Sequence, residues 1–450
     1  MRRVIETRTR AMVIGPYLKA GTSRKMAPAA SFEPVPGRSY ESRLSEAAGL
    51  AHAISLEVAA ERIILLSQIR PATLLGRGHV AELAAQIGEE NIELVIMDCA
   101  LSPVQQRNLE KAFAAKVIDR TGLILEIFGR RARSREGALQ VELAHLAYQK
   151  SRLVRSWTHL ERQRGGFGFL GGPGETQIEA DRRLIEERMT RIKHELEGVK
   201  RTRGLHRKSR RAVPFPVVAL VGYTNAGKST LFNRLTEAGV AAEDMLFATL
   251  DPTLRRVALP HGGQVILSDT VGFISDLPTM LINAFRATLE EVLEADVILH
   301  VRDIAHEDAE AQRTDVEAIL AGLGVDPVSD HRLLEVWNKC DLLNDARLAA
   351  AWTGTNRAHH ERPVIVSALT GQGLDDLRTA IELKLARGRI MFDIKLDPAN
   401  GAGLNWLHEH AEVMRKDTKA DGVIHVRVRV PPERVEPLRQ KFRMAATRCA

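Results

Sequence analysis

The sequence predicts an α/β protein with a doubly wound, mostly parallel sheet at its centre. Five apolar runs between residues 213 and 388 are suited to strands buried on both faces: VPFPVVALVG (213–222), QVILSDT (264–270), DVILHVRD (296–303), LLEVWNKCD (333–341) and PVIVSA (363–368). Helical patterns lie between most of these runs, and that alternation is typical of a parallel sheet. At 450 residues the chain is too long for one core, so we expect about three domains or more.

The regions on either side of residues 213–388 predict three further parts. Residues 1–133 predict a small α/β domain, with a helix over HVAELAAQIGEEN (79–91), a strand over LVIMD (94–98) and a disordered loop over 21–39. Residues 134–212 predict a helical hairpin, and residues 389–450 a small α/β domain in the order strand, helix, strand, helix. In the last of these, HVRVRV (425–430) alternates as a strand with one basic, solvated face would.

Heptad spacing is the signal for the hairpin. Apolar residues follow a four-three spacing from Leu139 to Leu160, and isoleucine or valine recurs every seven residues from Ile178 to Val199. Two such segments with a short connection indicate antiparallel helices. The connection, RGGFGFLGGPGE (164–175), contains G-x-G-x-x-G, which suggests dinucleotide binding when it follows a strand. A helix precedes it here, so the glycine run is interpreted as the tip or hinge of the hairpin.

Composition limits the setting and the partners. The net charge is +7, the three cysteines lie far apart, and no apolar stretch approaches a membrane span. We therefore expect a reduced, cytoplasmic protein without a transmembrane segment. The segment KRTRGLHRKSRR (200–211) has many cations and no acid. It is either a solvated linker or a contact for nucleic-acid phosphates.

A phosphate-binding loop follows the strand VVALVG. The letters GYTNAGKST, from Gly222 to Thr230, match G-x-x-x-x-G-K-[ST] and open the helical STLFNRLTEAG. Glycines let backbone N–H groups turn toward phosphates, Lys228 places a charge between the β- and γ-phosphates, and the Ser229 hydroxyl is a Mg²⁺ ligand. The motif and its strand–loop–helix context predict a P-loop nucleotide-binding domain.

Later motifs arrive in the order that a P-loop GTPase requires. Asp269-Thr-Val-Gly272 ends a strand, so Asp269 can hold Mg²⁺ through water and the Gly272 N–H can meet the γ-phosphate. LFATLDPT (246–253) lies between the two motifs, and Thr249 is either a switch residue that closes on Mg²⁺ or an ordinary loop threonine. Asp341 of Asn338-Lys-Cys-Asp341 can accept two N–H bonds from guanine, which adenine cannot offer.

The predicted nucleotide contacts follow from these motifs. Asn338 is expected on the guanine N7 side, the Lys339 stem along the base, and the Ser367–Ala368 backbone at the guanine carbonyl. Lys228, Thr249, Gly272 and Asn225 are the candidate catalytic residues, and Ser229, Thr249 and Asp269 the candidate metal ligands. The full contact set is Gly222, Tyr223, Thr224, Asn225, Ala226, Gly227, Lys228, Ser229, Thr230, Phe247, Ala248, Thr249, Asp269, Thr270, Val271, Gly272, Asn338, Lys339, Asp341, Ser367, Ala368 and Leu369.

The residue after D-x-x-G is unusual. Ras-like GTPases carry a water-orienting glutamine there, whereas this chain has Phe273, whose ring cannot orient water. Another donor, a cation or a partner must do so, and unaided turnover should be slow. Asn225 lies in G-x-x-N-x-G-K-S, which resembles the loop of potassium-activated GTPases, where that asparagine binds K⁺. Equally, Asn225 is a residue that tolerates the loop conformation.

Beyond these motifs, the chain resembles the HflX family of translational GTPases. The resemblance rests on PATLLGRGHVAEL (71–83), LSPVQQRNLEKAF (101–113), VIDRTGLILEIFGRRARSREGALQVELAHLAY (117–148), GGPGETQIEADRR (171–183), GYTNAGKSTLFN (222–233) and LFATLDPTLRR (246–256). It implies a factor that binds GTP, GDP and the large (50S) ribosomal subunit, and splits stalled or idle 70S ribosomes, often under stress. It also implies that the hairpin tip lies near ribosomal RNA.

Two functions remain compatible with the sequence. The first is a GTPase switch, expected to be a monomer, whose GTP form grips the ribosome and whose hydrolysis releases it. The second is a GTP-dependent RNA-binding or 50S-assembly factor with little intrinsic hydrolysis, which Phe273 favours. Ribosome-stimulated turnover distinguishes the two.

Overall fold

The computed structural model describes residues 9–19, 38–163, 173–211, 215–237, 247, 253–277, 289, 291–344, 362–386, 390–418, 422–430, 432–442 and 446–448. The predicted disordered loop (21–39) lies almost wholly outside these ranges, and so does the glycine-rich tip from residue 164 to 172. Among the described helices, none combines the length and the apolar character that a membrane crossing requires.

The N-terminal unit, which we define as residues 9–131, is a parallel α/β layer. Its strands are β1 (Arg10–Leu18), β2 (Glu57–Leu66), β3 (Leu94–Met97) and β4 (Lys116–Asp119). They pair in the order β2-β1-β3-β4, all parallel. The helices are α1 (Tyr40–His52), α2 (Arg77–Glu89), α3 (Pro103–Phe113) and α4 (Arg120–Arg131). The α/β prediction for this region is confirmed.

Two long helices follow as an antiparallel hairpin: α5 (Arg135–Gln163) and α6 (Pro173–Arg211). Leu139 packs against Ile192 and Leu196, as the heptad spacing predicts. An ion pair of 2.8 Å between Arg188 Nε and Glu142 Oε1 crosses the same interface. The predicted basic linker (200–211) is instead the last part of α6, because lysine and arginine are good helix formers and no proline interrupts them.

Within the described residues, the central sheet has six strands: β5 (Val217–Gly222), β6 (Thr253–Ala258), β7 (Gln264–Asp269), β8 (Val297–Asp303), β9 (Leu333–Asn338) and β10 (Val364–Ile365). Their order is β10-β9-β8-β5-β7-β6, with β6 alone antiparallel. The described helices around it are α7 (Lys228–Thr236), α8 (Ala309–Leu323) and α9 (Leu374–Ala386). The mostly parallel sheet is confirmed.

The strand β6 was not predicted because it is an edge strand. Its residues TLRRVA are mostly half-buried or exposed, so they lack the apolar run that identified the other strands. β6 extends the sheet beyond β7 and places the end of the LFATLDPT segment next to the strand that ends at Asp269.

The C-terminal region has two strands more than predicted. It runs β11 (Ile390–Leu396), α10 (Gly401–His410), β12 (Glu412–Thr418), β13 (Ile424–Val430), α11 (Pro432–Lys441) and β14 (Ala446–Arg448). The antiparallel order is β12-β13-β11-β14. The predicted strand–helix–strand–helix order is therefore corrected. EVMRKDT is a charged edge strand and ATR is very short, so neither carried a strand pattern.

A single core continues from the N-terminal unit into the central sheet. It includes Phe128 of α4, whose ring lies 4.7 Å from the ring of Phe247 in an edge-to-face arrangement. It also includes Tyr223 of the predicted nucleotide site and Phe273, the residue after D-x-x-G. The N-terminal unit therefore packs against the side of the central sheet on which those loops lie.

Candidate nucleotide-binding site

The phosphate-binding loop joins β5 to α7. Gly222 has φ +153°, and a Cβ there would lie 2.2 Å from the Val301 carbonyl oxygen of β8. Gly227 has φ +88° and caps the N-terminus of α7. Both positions need glycine, because a side chain would be strained and would collide with a neighbour. The loop therefore turns its backbone toward a helix N-terminus, which favours anions.

Lys228 is the first residue of α7 and is buried. Its ammonium donates to the carbonyls of Tyr223 (2.7 Å) and Gly222 (3.1 Å). Burial lowers the pKa of Lys228 to about 8, although Asp269 acts to raise it. A buried cation that contacts neutral carbonyls is suited to an anionic ligand such as a phosphate.

Ser229 and Asp269 lie together, as predicted for metal ligands. The Ser229 hydroxyl donates to Asp269 Oδ2 over 2.7 Å. Two oxygen ligands beside a phosphate loop fit Mg²⁺, which usually takes one or two protein ligands and completes its shell with phosphates and water. In the described ranges there is no cluster of three or more His, Cys, Asp or Glu residues that would indicate a protein-only metal cage.

The segment after β7 lies against the phosphate-binding loop. Phe273 N–H donates to the Gly222 carbonyl (3.1 Å), and Thr224 N–H donates to the Phe273 carbonyl (2.7 Å). A Cβ on Gly272 would lie 3.1 Å from Lys228 Nζ. The backbone at Gly272 is thus held beside the lysine, where the γ-phosphate interaction was predicted. The Phe273 side chain is buried.

Hydrogen bonds of Asn338 connect the guanine motif to the phosphate-binding loop. Its Nδ2 donates to the Ala226 carbonyl (2.8 Å), and its Oδ1 accepts from the Ala368 N–H (3.0 Å). Lys339 has φ +64° and pairs with Asp303 over 2.8 Å. Asp341 is exposed at the start of a short 3₁₀ turn, where a base can reach it.

Arg234 was not predicted from the sequence. This exposed residue of α7 donates through Nε to the Ala368 carbonyl (3.2 Å) and through Nη2 to the Leu369 carbonyl (2.5 Å). It therefore holds the loop after β10 from one side, while Asn338 holds it from the other. The position of Arg234 in the sequence does not reveal this contact, because the loop that it contacts lies 134 residues further along the chain.

The other predicted site residues are placed as follows. Asn225 is exposed and has φ +59°, a conformation that asparagine tolerates well. Thr270 donates to the Leu220 carbonyl and supports the sheet. Ala248 and Thr249 lie outside the described residues. Of the remaining set, Val271 and Ser367 are buried, Thr230 is half-buried and Leu369 is exposed.

The chain matches four protein-family models along its length. They are described as "GTP-binding GTPase N-terminal" (residues 41–129), "GTP-binding GTPase Middle Region" (131–210), "50S ribosome-binding GTPase" (217–339) and "HflX C-terminal domain" (355–448). The third of these includes the phosphate-binding loop, Asp269 and Asn338.

Two curated relatives bear the name GTPase HflX. The protein of Magnetococcus marinus is 51% identical over 82% of this chain and 84% of its own length. That of Escherichia coli is 45% identical over 80% and 83%. Among solved structures, a GTP-binding protein of Sulfolobus solfataricus in complex with GDP is 20% identical, with a TM-score of 0.42 over 83% of this chain and 99% of that one.

Proposed function

Because this chain belongs to the HflX family of GTPases, it hydrolyses GTP, and we propose that it binds the large (50S) ribosomal subunit and splits stalled or idle 70S ribosomes. The match of residues 217–339 to a ribosome-binding GTPase model carries this proposal. A role in rescue or stress, a monomeric state and a cytoplasmic location accompany it as predictions.

The nucleotide site supports a division of roles among its residues. Lys228 and the backbone of the phosphate-binding loop bind the β- and γ-phosphates, and the Gly272 N–H approaches the γ-phosphate. Asp341 selects guanine, and Asn338 fixes the spacing between base and phosphates through Ala226. Ser229 and Asp269 hold the Mg²⁺ that accompanies the nucleotide, with Thr249 as a third ligand. Mg²⁺ neutralises charge on the phosphates.

Water is not positioned by the residue after D-x-x-G. Phe273 points into the core and has no polar side-chain atom. We consider two groups that can take over this role: a K⁺ ion held by Asn225, which would stabilise negative charge, and the ribosome. The exposed position of Asn225 leaves it accessible to an ion. If K⁺ is involved, GTP turnover in KCl exceeds that in NaCl, and Asn225→Ala removes the difference; equal rates in both salts contradict it.

The helices of the hairpin are long enough to extend into the ribosome. At ~1.5 Å per residue, helices of 29 and 39 residues measure about 43 and 58 Å. The family resemblance assigns the tip a position near ribosomal RNA, and a glycine-rich backbone can approach RNA closely. Phe167 and Phe169 either stack on bases there or pack on the hairpin. The tip lies outside the described residues.

Co-sedimentation with 50S subunits tests the proposal. The protein is incubated with a non-hydrolysable GTP analogue or with GDP, and a variant lacking residues 164–175 is run beside it. We expect strong binding with the analogue, weak binding with GDP, and loss of binding in the deletion variant. Light scattering then follows splitting of 70S ribosomes by the intact protein with GTP. Absence of 50S binding with either nucleotide contradicts the proposal.

A second function is favoured by the buried Phe273: a GTP-dependent RNA-binding or 50S-assembly factor with little hydrolysis of its own. Turnover of GTP with and without ribosomes distinguishes the two. Strong stimulation supports the splitting factor. Binding to 50S without stimulated hydrolysis and without splitting supports the assembly factor.

A further inference from the structure

A polar network joins the N-terminal unit to two loops of the nucleotide site. Glu46 of α1 accepts hydrogen bonds from the Tyr223 hydroxyl and, over 2.7 Å, from the Ser275 hydroxyl. The Tyr223 hydroxyl in turn accepts from the Ser275 N–H over 2.8 Å. Tyr223 belongs to the phosphate-binding loop, and Ser275 lies three residues after Gly272. One carboxylate therefore joins both loops.

Two arginines fix this carboxylate in its ionised form. Arg120 pairs with Glu46 and donates to the Ser275 hydroxyl (2.9 Å). Arg38 lies 3.6 Å from Glu46 and pairs with Asp315 over 2.7 Å. Burial acts to raise the pKa of Glu46, but Arg120 and Arg38 overcome it and the pKa falls below its usual value. Both guanidinium groups are almost fully buried, so Glu46 is the centre of a charged network rather than a surface contact.

The network holds Gly272 beside Lys228. The backbone of Phe273 is hydrogen-bonded to Gly222 and Thr224. Two residues further along the chain, Ser275 is hydrogen-bonded to Glu46. These contacts fix the segment 273–275, which directly follows Gly272. The γ-phosphate is the part of GTP that GDP lacks, and the Gly272 N–H is the group proposed to meet it. Contacts that hold this segment therefore favour GTP over GDP.

We propose that Glu46 is a positioning residue that tunes the preference of the site for GTP over GDP by holding Ser275 and Tyr223. This inference rests on the proposed nucleotide site. It gives the N-terminal unit a role in discriminating GTP from GDP, although Glu46 lies in none of the nucleotide-binding motifs. Arg120 does not act as an arginine finger, because Asp98, Glu46 and Ser275 already occupy its terminal nitrogens.

Nucleotide affinities of conservative variants test the proposal. Tyr223→Phe and Ser275→Ala each remove one hydroxyl, and Glu46→Gln removes the charge. Affinities for a fluorescent non-hydrolysable GTP analogue and for fluorescent GDP are measured in Mg²⁺. Glu57→Gln is the matched control, since Glu57 is a half-exposed carboxylate of the same unit with an arginine partner. Thermal unfolding is recorded for each variant.

We expect affinity for the GTP analogue to fall about fivefold to tenfold in each network variant, as for loss of one buried hydrogen bond. In Glu46→Gln and Ser275→Ala, affinity for GDP should stay within about twofold, and the effects of these two substitutions should not add, because both weaken the contact between Glu46 and Ser275. In these two variants, equal losses for both nucleotides, no loss, or tighter binding of the analogue would overturn the proposal. If Glu46→Gln does not fold, Ser275→Ala decides.

The test also separates this proposal from the nucleotide-site assignment. If the unmodified protein binds neither nucleotide, the proposed site itself is wrong. If it binds both and the network variants do not change the ratio of the two affinities, the site stands and the role of Glu46 is wrong.

Discussion

Gly227→Ala should sharply weaken nucleotide binding while the fold persists. Gly227 has φ +88°, and its added Cβ would lie 2.2 Å from Asn338 Nδ2. The left-handed conformation costs a non-glycine residue about 1–2 kcal/mol. Displacing Asn338 breaks its bonds to Ala226 and Ala368, and each buried group left unpaired costs about 1–3 kcal/mol. With one of these groups left unpaired, the total is roughly 2–5 kcal/mol, which corresponds to a loss of about 30-fold to several thousandfold in affinity if it falls on the bound state.

Gly262→Ala is the matched control, because Gly262 has φ +87° and no heavy atom near its Cβ position. Both variants bear the same backbone strain, and only Gly227→Ala collides with Asn338. GDP affinity is measured by fluorescence, and unfolding by circular dichroism. If the two variants bind GDP equally well, the coupling of the guanine motif to the phosphate-binding loop through Asn338 is refuted.

Three further substitutions test the other parts of the site. Lys228→Ala should abolish detectable GTP turnover, because it removes the buried cation; turnover near that of the unmodified protein would exclude its phosphate role. Asp341→Asn should weaken GTP binding and improve binding of xanthosine triphosphate, whose base offers an acceptor in place of the guanine amino group, as competition binding would show. Arg234→Met should release the Ala368 and Leu369 carbonyls and weaken GTP and inosine triphosphate equally, by about threefold to tenfold. The 2-aminopurine nucleotide, which lacks the guanine carbonyl, should be affected less, and an equal loss for all three would indicate only general destabilisation.

The phosphate and guanine motifs were predictable because their function imposes local spacing. Each follows the end of a strand whose apolar run is visible in the sequence, and parallel strands bring those ends to one edge of the sheet. Ser229 and Asp269, 40 residues apart in the chain, meet at 2.7 Å for that reason. The mostly parallel sheet itself was predicted by the alternation of strands and helices.

The contacts of Glu46 were not predictable in this way. Glu46 and Ser275 are 229 residues apart, and neither lies in a repeated or recognisable pattern. Their meeting depends on how the N-terminal unit packs against the central sheet, and that packing is decided by the shape of the shared core around Phe128 and Phe273. Sequence periodicity specifies which face of an element is buried, but it does not specify what that face is buried against.

The packing of Phe273 explains why residue 273 cannot orient the attacking water: its side chain is part of the contact with the N-terminal unit. A glutamine at this position in a Ras-like site needs freedom to reach a water molecule beside the γ-phosphate. Here the Phe273 side chain fills the core shared with the N-terminal unit, its backbone is hydrogen-bonded to Gly222 and Thr224, and the Ser275 hydroxyl donates to Glu46. The same segment cannot pack into that core and also place a polar side chain on water. Fast hydrolysis therefore requires a group other than residue 273, and the two proposed above are a K⁺ ion at Asn225 and the ribosome.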